Sequence, residues 1–142
     1  MMPFVLDASI AACWAFPDDE DPRAEAALAR VRIEDAVVPS LWWFEVRNIL
    51  VVNERRKRIT ETGTNSFLRE LARLRIRVDR EPEEIAVLKL ARAHRLSVYD
   101  ASYLELALRE AIPVATLDGQ LAAAAIAEGT ELIGATRKKG VR

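Results

Sequence analysis

Four acidic residues, Asp7, Glu45, Asp100 and Asp118, stand where they could do chemistry together. Glu45 is the most informative, alone in the apolar run SLWWFEVRNILVV from Ser40 to Val52. On a helix at about 100° per residue, Glu45 shares one side with Leu41, Asn48 and Val52, while Arg47 and Glu54 fall opposite with Trp43 and Leu50. Glu45 is therefore expected to point inward, where an unpartnered carboxylate costs several kcal/mol and needs a cation, hydrogen bonds or a raised pKa. Two readings stay open from this run alone. Glu45 caps a neighbouring backbone or meets an arginine from elsewhere, or it belongs to a site.

Asp7 closes the strand-like PFVLD and Asp118 closes PVATLD, and open parallel sheets bind ligands beyond the carboxyl ends of their strands. Asp100 opens the helical pattern YDASYLELALREA, whose inner face is expected to run through Tyr103, Leu104 and Ala107, leaving Ser102, Glu105 and Arg109 to solvent. Each aspartate taken singly reads as a helix cap worth about 1 kcal/mol. Glu45 is mid-helix and cannot be one. If the four converge, repulsion matters: two unit charges about 4 Å apart repel by about 4 kcal/mol at an effective dielectric of about 20. A hard divalent cation, Mg2+ or Mn2+, would relieve it and suits all-oxygen ligands. Zinc would want the histidine and cysteine that are scarce here, with one His94 and one Cys13. The same scarcity argues against serine-histidine and cysteine-histidine mechanisms, and neither G-x-x-x-x-G-K-[ST] nor G-x-G-x-x-G occurs.

The elements that must position these acids alternate. PFVLD, ASIAACWAF, PRAEAALARVRI and AVVPS read as β-α-α-β. The Glu45 helix follows, then TGTNSFLRELARLR as helix, IRVD as strand, EPEEIAVLKLARAHR as helix with Pro82 near its start, and the Asp100 helix. IPVATLD as strand, GQLAAAAIAEG as a helix stopped by Gly129, and TELIG as a final strand complete the pattern. This predicts an α/β fold, a three-layer α/β/α sandwich with a mainly parallel central sheet. The 142 residues suit one domain, placed at 1–135, with a basic tail at 136–142. Cys13 is expected as a buried small hydrophobe and His94 as a surface residue. The lone cysteine, the early aspartate in MMPFVLD and the lack of a long apolar run fit a cytoplasmic protein with no membrane span.

A net charge of -1 gives no global pull on a polyanion, so any nucleic-acid contact must be local. The basic run Arg55, Arg56, Lys57, Arg58 offers one, unless it only complements the carboxyl end of its helix. Trp43 and Leu50, beside Arg47 and Glu54, read either as an exposed interface or as core beneath another helix.

VLDAS at Asp7, FEVRNIL at Glu45, YDASYLELA at Asp100 and TLDGQL at Asp118, in this order and over essentially the whole chain, resemble the PIN-domain family, and most of all VapC-type toxin ribonucleases of toxin-antitoxin pairs. The resemblance implies that Asp7, Glu45, Asp100 and Asp118 form an acidic pocket supported by Ser9, Asn48 and Thr116. Asp7 and Asp100 would ligate Mg2+ or Mn2+ directly, with Glu45 and Asp118 acting through water. Some members carry another acid two residues after the last one; Gln120 stands there, which puts a second metal site in doubt. The resemblance further implies RNA phosphodiester cleavage by metal-activated water, a homodimer and a cognate antitoxin. Two other classes of function are a phosphate-accepting receiver, for which PVATLDGQL lacks a lysine, and a non-catalytic binding module on the same scaffold.

Overall fold

The strands explain the architecture, because those in the middle of the sheet carry nothing polar. In the computed structural model, which describes residues 2–134, β1 (Phe4–Leu6) and β2 (Ala36–Pro39) are buried along their whole length. Strands apolar on both sides need helices on both faces. β3 (Ile76–Asp79) lies at one edge and β4 (Val114–Ala115) pairs with the other side of β1, giving the order β3-β2-β1-β4. Every pairing is parallel, with Val5 opposite both Val37 and Val114. Seven helices among the described residues flank this sheet: α1 (Ala8–Cys13), α2 (Pro22–Val31), α3 (Leu41–Arg55), α4 (Glu61–Leu71), α5 (Glu84–His94), α6 (Val98–Glu110) and α7 (Gly119–Ala127). The expected three-layer sandwich is the observed fold.

The topology itself creates the site. From β1 the chain moves outward through β2 to β3, then returns to place β4 on the opposite side of β1. The carboxyl ends of β1 and β4 therefore border the crevice where the winding reverses. Asp7 directly follows β1, and Asp118 follows β4 by three residues.

Several sequence expectations are corrected. TELIG does not form a strand: Leu132 makes an isolated parallel bridge to Val114, between two left-handed glycines, Gly129 at φ +81° and Gly134 at φ +68°. Those turns leave too few residues for a ladder. Of the two readings left open for Trp43 and Leu50, Leu50 is fully buried as core, whereas Trp43, nearer the helix start, remains half exposed. Cys13 is partly exposed, its thiol donating to the Asp19 carbonyl at 3.1 Å. His94 is mostly covered and meets Glu128 of α7 at 2.7 Å.

On the face of α6 assigned to solvent, Arg109 is exposed as expected, but the other two residues are buried. Ser102 and Glu105 are covered because α5 packs back against α6. Glu105 tolerates burial because Arg109, one turn later, grips it at 2.6 and 3.1 Å and also holds Asp79 at the end of β3 at 2.9 and 3.2 Å. This ionic link ties the Asp100 helix to the edge of the sheet. The basic tail at 136–142 lies outside the described residues.

Candidate active site

Asp7 occupies the cap position of α1, but its side chain makes no capping bond. Its Oδ2 instead accepts from the hydroxyls of Thr116 at 2.6 Å and Ser9 at 2.8 Å. Those hydroxyls in turn accept backbone N–H groups across the crevice, Thr116 from Asp118 at 2.9 Å and Ser9 from Leu117 at 3.0 Å. The β1–α1 junction is thus laced to the β4–α7 loop through Asp7, which is buried. Burial raises its pKa, aided by the Asp118 charge and opposed by the Thr116 and Ser9 hydroxyls.

Asp118 does cap its helix, accepting from the N–H groups of Gln120 at 2.8 Å and Leu121 at 3.0 Å. Both bonds fall on Oδ1, so capping and a second role for Oδ2 are compatible. Asp100 is the third residue of α6; the cap there is Ser97, whose Oγ accepts the Asp100 N–H at 3.0 Å. The Asp100 carboxylate is half-buried and its pKa is raised, by burial first and then by the charges of Asp118 and Asp7.

Glu45 is the fifth of the fifteen residues of α3, half-buried, and its partner is neither an arginine nor a helix end. Tyr103 of α6 donates its hydroxyl to Glu45 Oε1 at 2.5 Å. Burial raises the Glu45 pKa, the charges of Asp7 and Asp100 add to the rise, and the Tyr103 donor opposes it. Glu45 therefore feels Asp7 and Asp100, and both of those feel Asp118. The four acids occupy one electrostatic neighbourhood, with Asp7 and Asp100 central and Glu45 and Asp118 on the flanks.

Among the described residues, no three histidine, cysteine, aspartate or glutamate side chains form a ready-made metal cage. Three of the four acids are held by partners of their own: Thr116 and Ser9 hold Asp7, the α7 amides hold Asp118, and Tyr103 holds Glu45. The donor chemistry nevertheless fits a hard divalent cation, since all the oxygens are carboxylate oxygens and burial and neighbouring charge disfavour the charged forms of Asp7, Glu45 and Asp100.

The supporting residues divide. Ser9 and Thr116 bond Asp7 directly, whereas Asn48 is exposed and makes no side-chain hydrogen bond to the acids among the described residues. In the basic run, Arg55, Arg56 and Lys57 are exposed and make no ion pair among the described residues, with Lys57 turning the chain at φ 60°. Arg58 is engaged: it pairs with Asp19 at 3.0 Å and Asp18 at 3.6 Å, donates to Asn53, and lies 4.7 Å over the Phe16 ring. Tyr103 received no role from the sequence. The available signal was a polar tip on an otherwise apolar helix face, three residues after Asp100.

The profile of the PIN domain family matches residues 4–127, and the chain belongs to that family. It is similar to Ribonuclease VapC3 of Pyrobaculum aerophilum, 32% identical over 124 residues, which span 85% of this chain and 93% of that one. Among solved structures it resembles PAE2754 from Pyrobaculum aerophilum, with a TM-score of 0.68 at 21% identity over 87% of this chain and 84% of the other. It also resembles FitAcB from Neisseria gonorrhoeae, with a TM-score of 0.62 at 18% identity over 92% and 96%. A third is Mycobacterium tuberculosis VapC20, described as a sarcin-ricin loop cleaving toxin, with a TM-score of 0.56 at 16% identity over 85% and 94%.

Proposed function

We propose that this chain is a metal-dependent endoribonuclease acting as the toxin of a toxin-antitoxin pair. The observation that carries the reading is the shared electrostatic neighbourhood of Asp7, Glu45, Asp100 and Asp118, two of them at the strand ends that flank the topological switch point. The similarity to a VapC ribonuclease over nearly the full length supports the substrate class and the toxin role. Asp7 and Asp100 would hold Mg2+ or Mn2+, which when bound neutralises the carboxylates and polarises a phosphoryl oxygen and water. Ser9 and Thr116 orient Asp7. Glu45 accepts a proton from the attacking water, and Asp118 offers its Oδ2 to water while Oδ1 stays on the α7 amides. No helix among the described residues is long and apolar enough to cross a membrane, which fits a cytoplasmic site of action on RNA.

The partners follow the family: a cognate antitoxin and a second copy of the chain. Trp43 and Phe44 support a partner surface, being 50% and 68% exposed at neighbouring positions on α3. The RNA path is assigned to Arg55, Arg56 and Lys57, whose cations are not tied to acids among the described residues as Arg58 is. Replacing the three with glutamine is expected to weaken binding of a single-stranded oligoribonucleotide. It should also flatten the plot of log affinity against log salt by about 0.7 for each phosphate that is no longer neutralised. An unchanged slope places the RNA elsewhere. Failure of the purified protein to bind any divalent cation would favour the non-catalytic binding module instead.

A further inference from the structure

We infer that Tyr103 is the positioning residue that fixes how Glu45 faces the other acids, an inference that rests on the nuclease reading above. Tyr103 lies on α6 one turn beyond Asp100, and its side chain is completely buried. Its hydroxyl crosses to α3 to donate to Glu45 Oε1 at 2.5 Å. One hydroxyl therefore links α6, which carries Asp100, to α3, which carries Glu45.

The consequence for Glu45 is geometric. Among the described residues its carboxylate receives no other side-chain hydrogen bond and no ion pair, so Tyr103 is the anchor that selects its orientation. With Oε1 committed, Oε2 is the oxygen left for water, as a carboxylate acting through water requires. Burial and the Asp7 charge push the phenol pKa upward, so the hydroxyl keeps its proton and serves as a donor, never as the base itself. A charge-assisted bond of this length is also among the stronger ones a neutral donor makes.

Tyr103→Phe tests this, because it keeps the buried ring and deletes only the hydroxyl. The expected result is a folded protein whose kcat on an oligoribonucleotide falls about ten- to hundred-fold, with KM and Mn2+ affinity within about two-fold of wild type. A readout independent of metal and turnover comes from proton NMR of the metal-free protein. A slowly exchanging, downfield hydroxyl resonance should be present in wild type, absent in Tyr103→Phe and shifted upfield in Glu45→Gln, where the acceptor loses its charge. An active wild type matched in kcat by Tyr103→Phe, a hydroxyl resonance indifferent to Glu45→Gln, or KM and Mn2+ affinity worsening as much as kcat would each overturn the positioning role. A wild type inactive with every divalent ion sinks the nuclease reading and the kinetic role with it, whereas a failure confined to Tyr103→Phe sinks the positioning role alone.

Discussion

Asp7→Asn is expected to lower divalent-dependent RNA cleavage by at least about 100-fold while leaving the protein folded and more heat-stable without metal. The amide oxygen of asparagine can still accept from Thr116 and Ser9, so the lacing of β1 to the β4–α7 loop survives. What disappears is a buried negative charge beside Asp118. Because burial, then Asp118, hold the folded pKa of Asp7 above its ordinary value, its favourable contribution is fully present below the ordinary carboxylate range. That contribution is lost as the pH rises through the raised value. Asparagine has no such loss. The Tm advantage of Asp7→Asn over metal-free wild type should therefore widen as the pH rises from the ordinary carboxylate range through the raised Asp7 value, and thermal melts across pH read it directly. An advantage that is flat or shrinks with rising pH contradicts the assigned burial cost.

Arg109→Met carries the largest expected effect on stability. Glu105 is 2% exposed, and Arg109 is its ion-pair partner as well as the partner of Asp79. Removing one member of a buried pair strands the other charge, at a cost of about 3–5 kcal/mol. The Arg109 side chain is itself 30% exposed, which places the effect near the lower end, about 3 kcal/mol, or a fall in Tm of roughly 10 °C. Glu105→Gln added to Arg109→Met should recover part of that loss by removing the stranded charge. Chemical denaturation of the two variants checks both signs; an Arg109→Met protein as stable as wild type would mean that Glu105 is solvated by other means.

Much of this was legible in the sequence for a simple reason. Parallel strands buried on both faces must be apolar, so PFVLD and PVATLD announce themselves, and an acid that closes such a strand falls at its carboxyl end. Glu45 was legible by contradiction, as a charge inside an apolar helical run. Long-range pairing was not legible. The i, i+4 pair of Glu105 and Arg109 reads as a solvated helix face until α5 is seen to cover it. The charged neighbours Arg47 and Glu54 left Leu50 open between surface and core, and the fold buries it. Only the fold brings Arg58 of the basic run onto Asp19 across 39 residues. Tyr103 and Glu45 are 58 residues apart and share no local pattern. Asn48 shares a helical side with Glu45, but position on a helix does not aim a side chain.

The central claim is that the four carboxylates make one cation site. Calorimetric titration of Mn2+ into the protein near neutral pH, in two buffers of different ionisation enthalpy, tests it most directly. The account predicts a single site, and predicts that Asp7→Asn and Asp100→Asn abolish the binding heat in both buffers. Wild-type protein that binds no divalent ion, or binding that survives both substitutions unchanged, would contradict it.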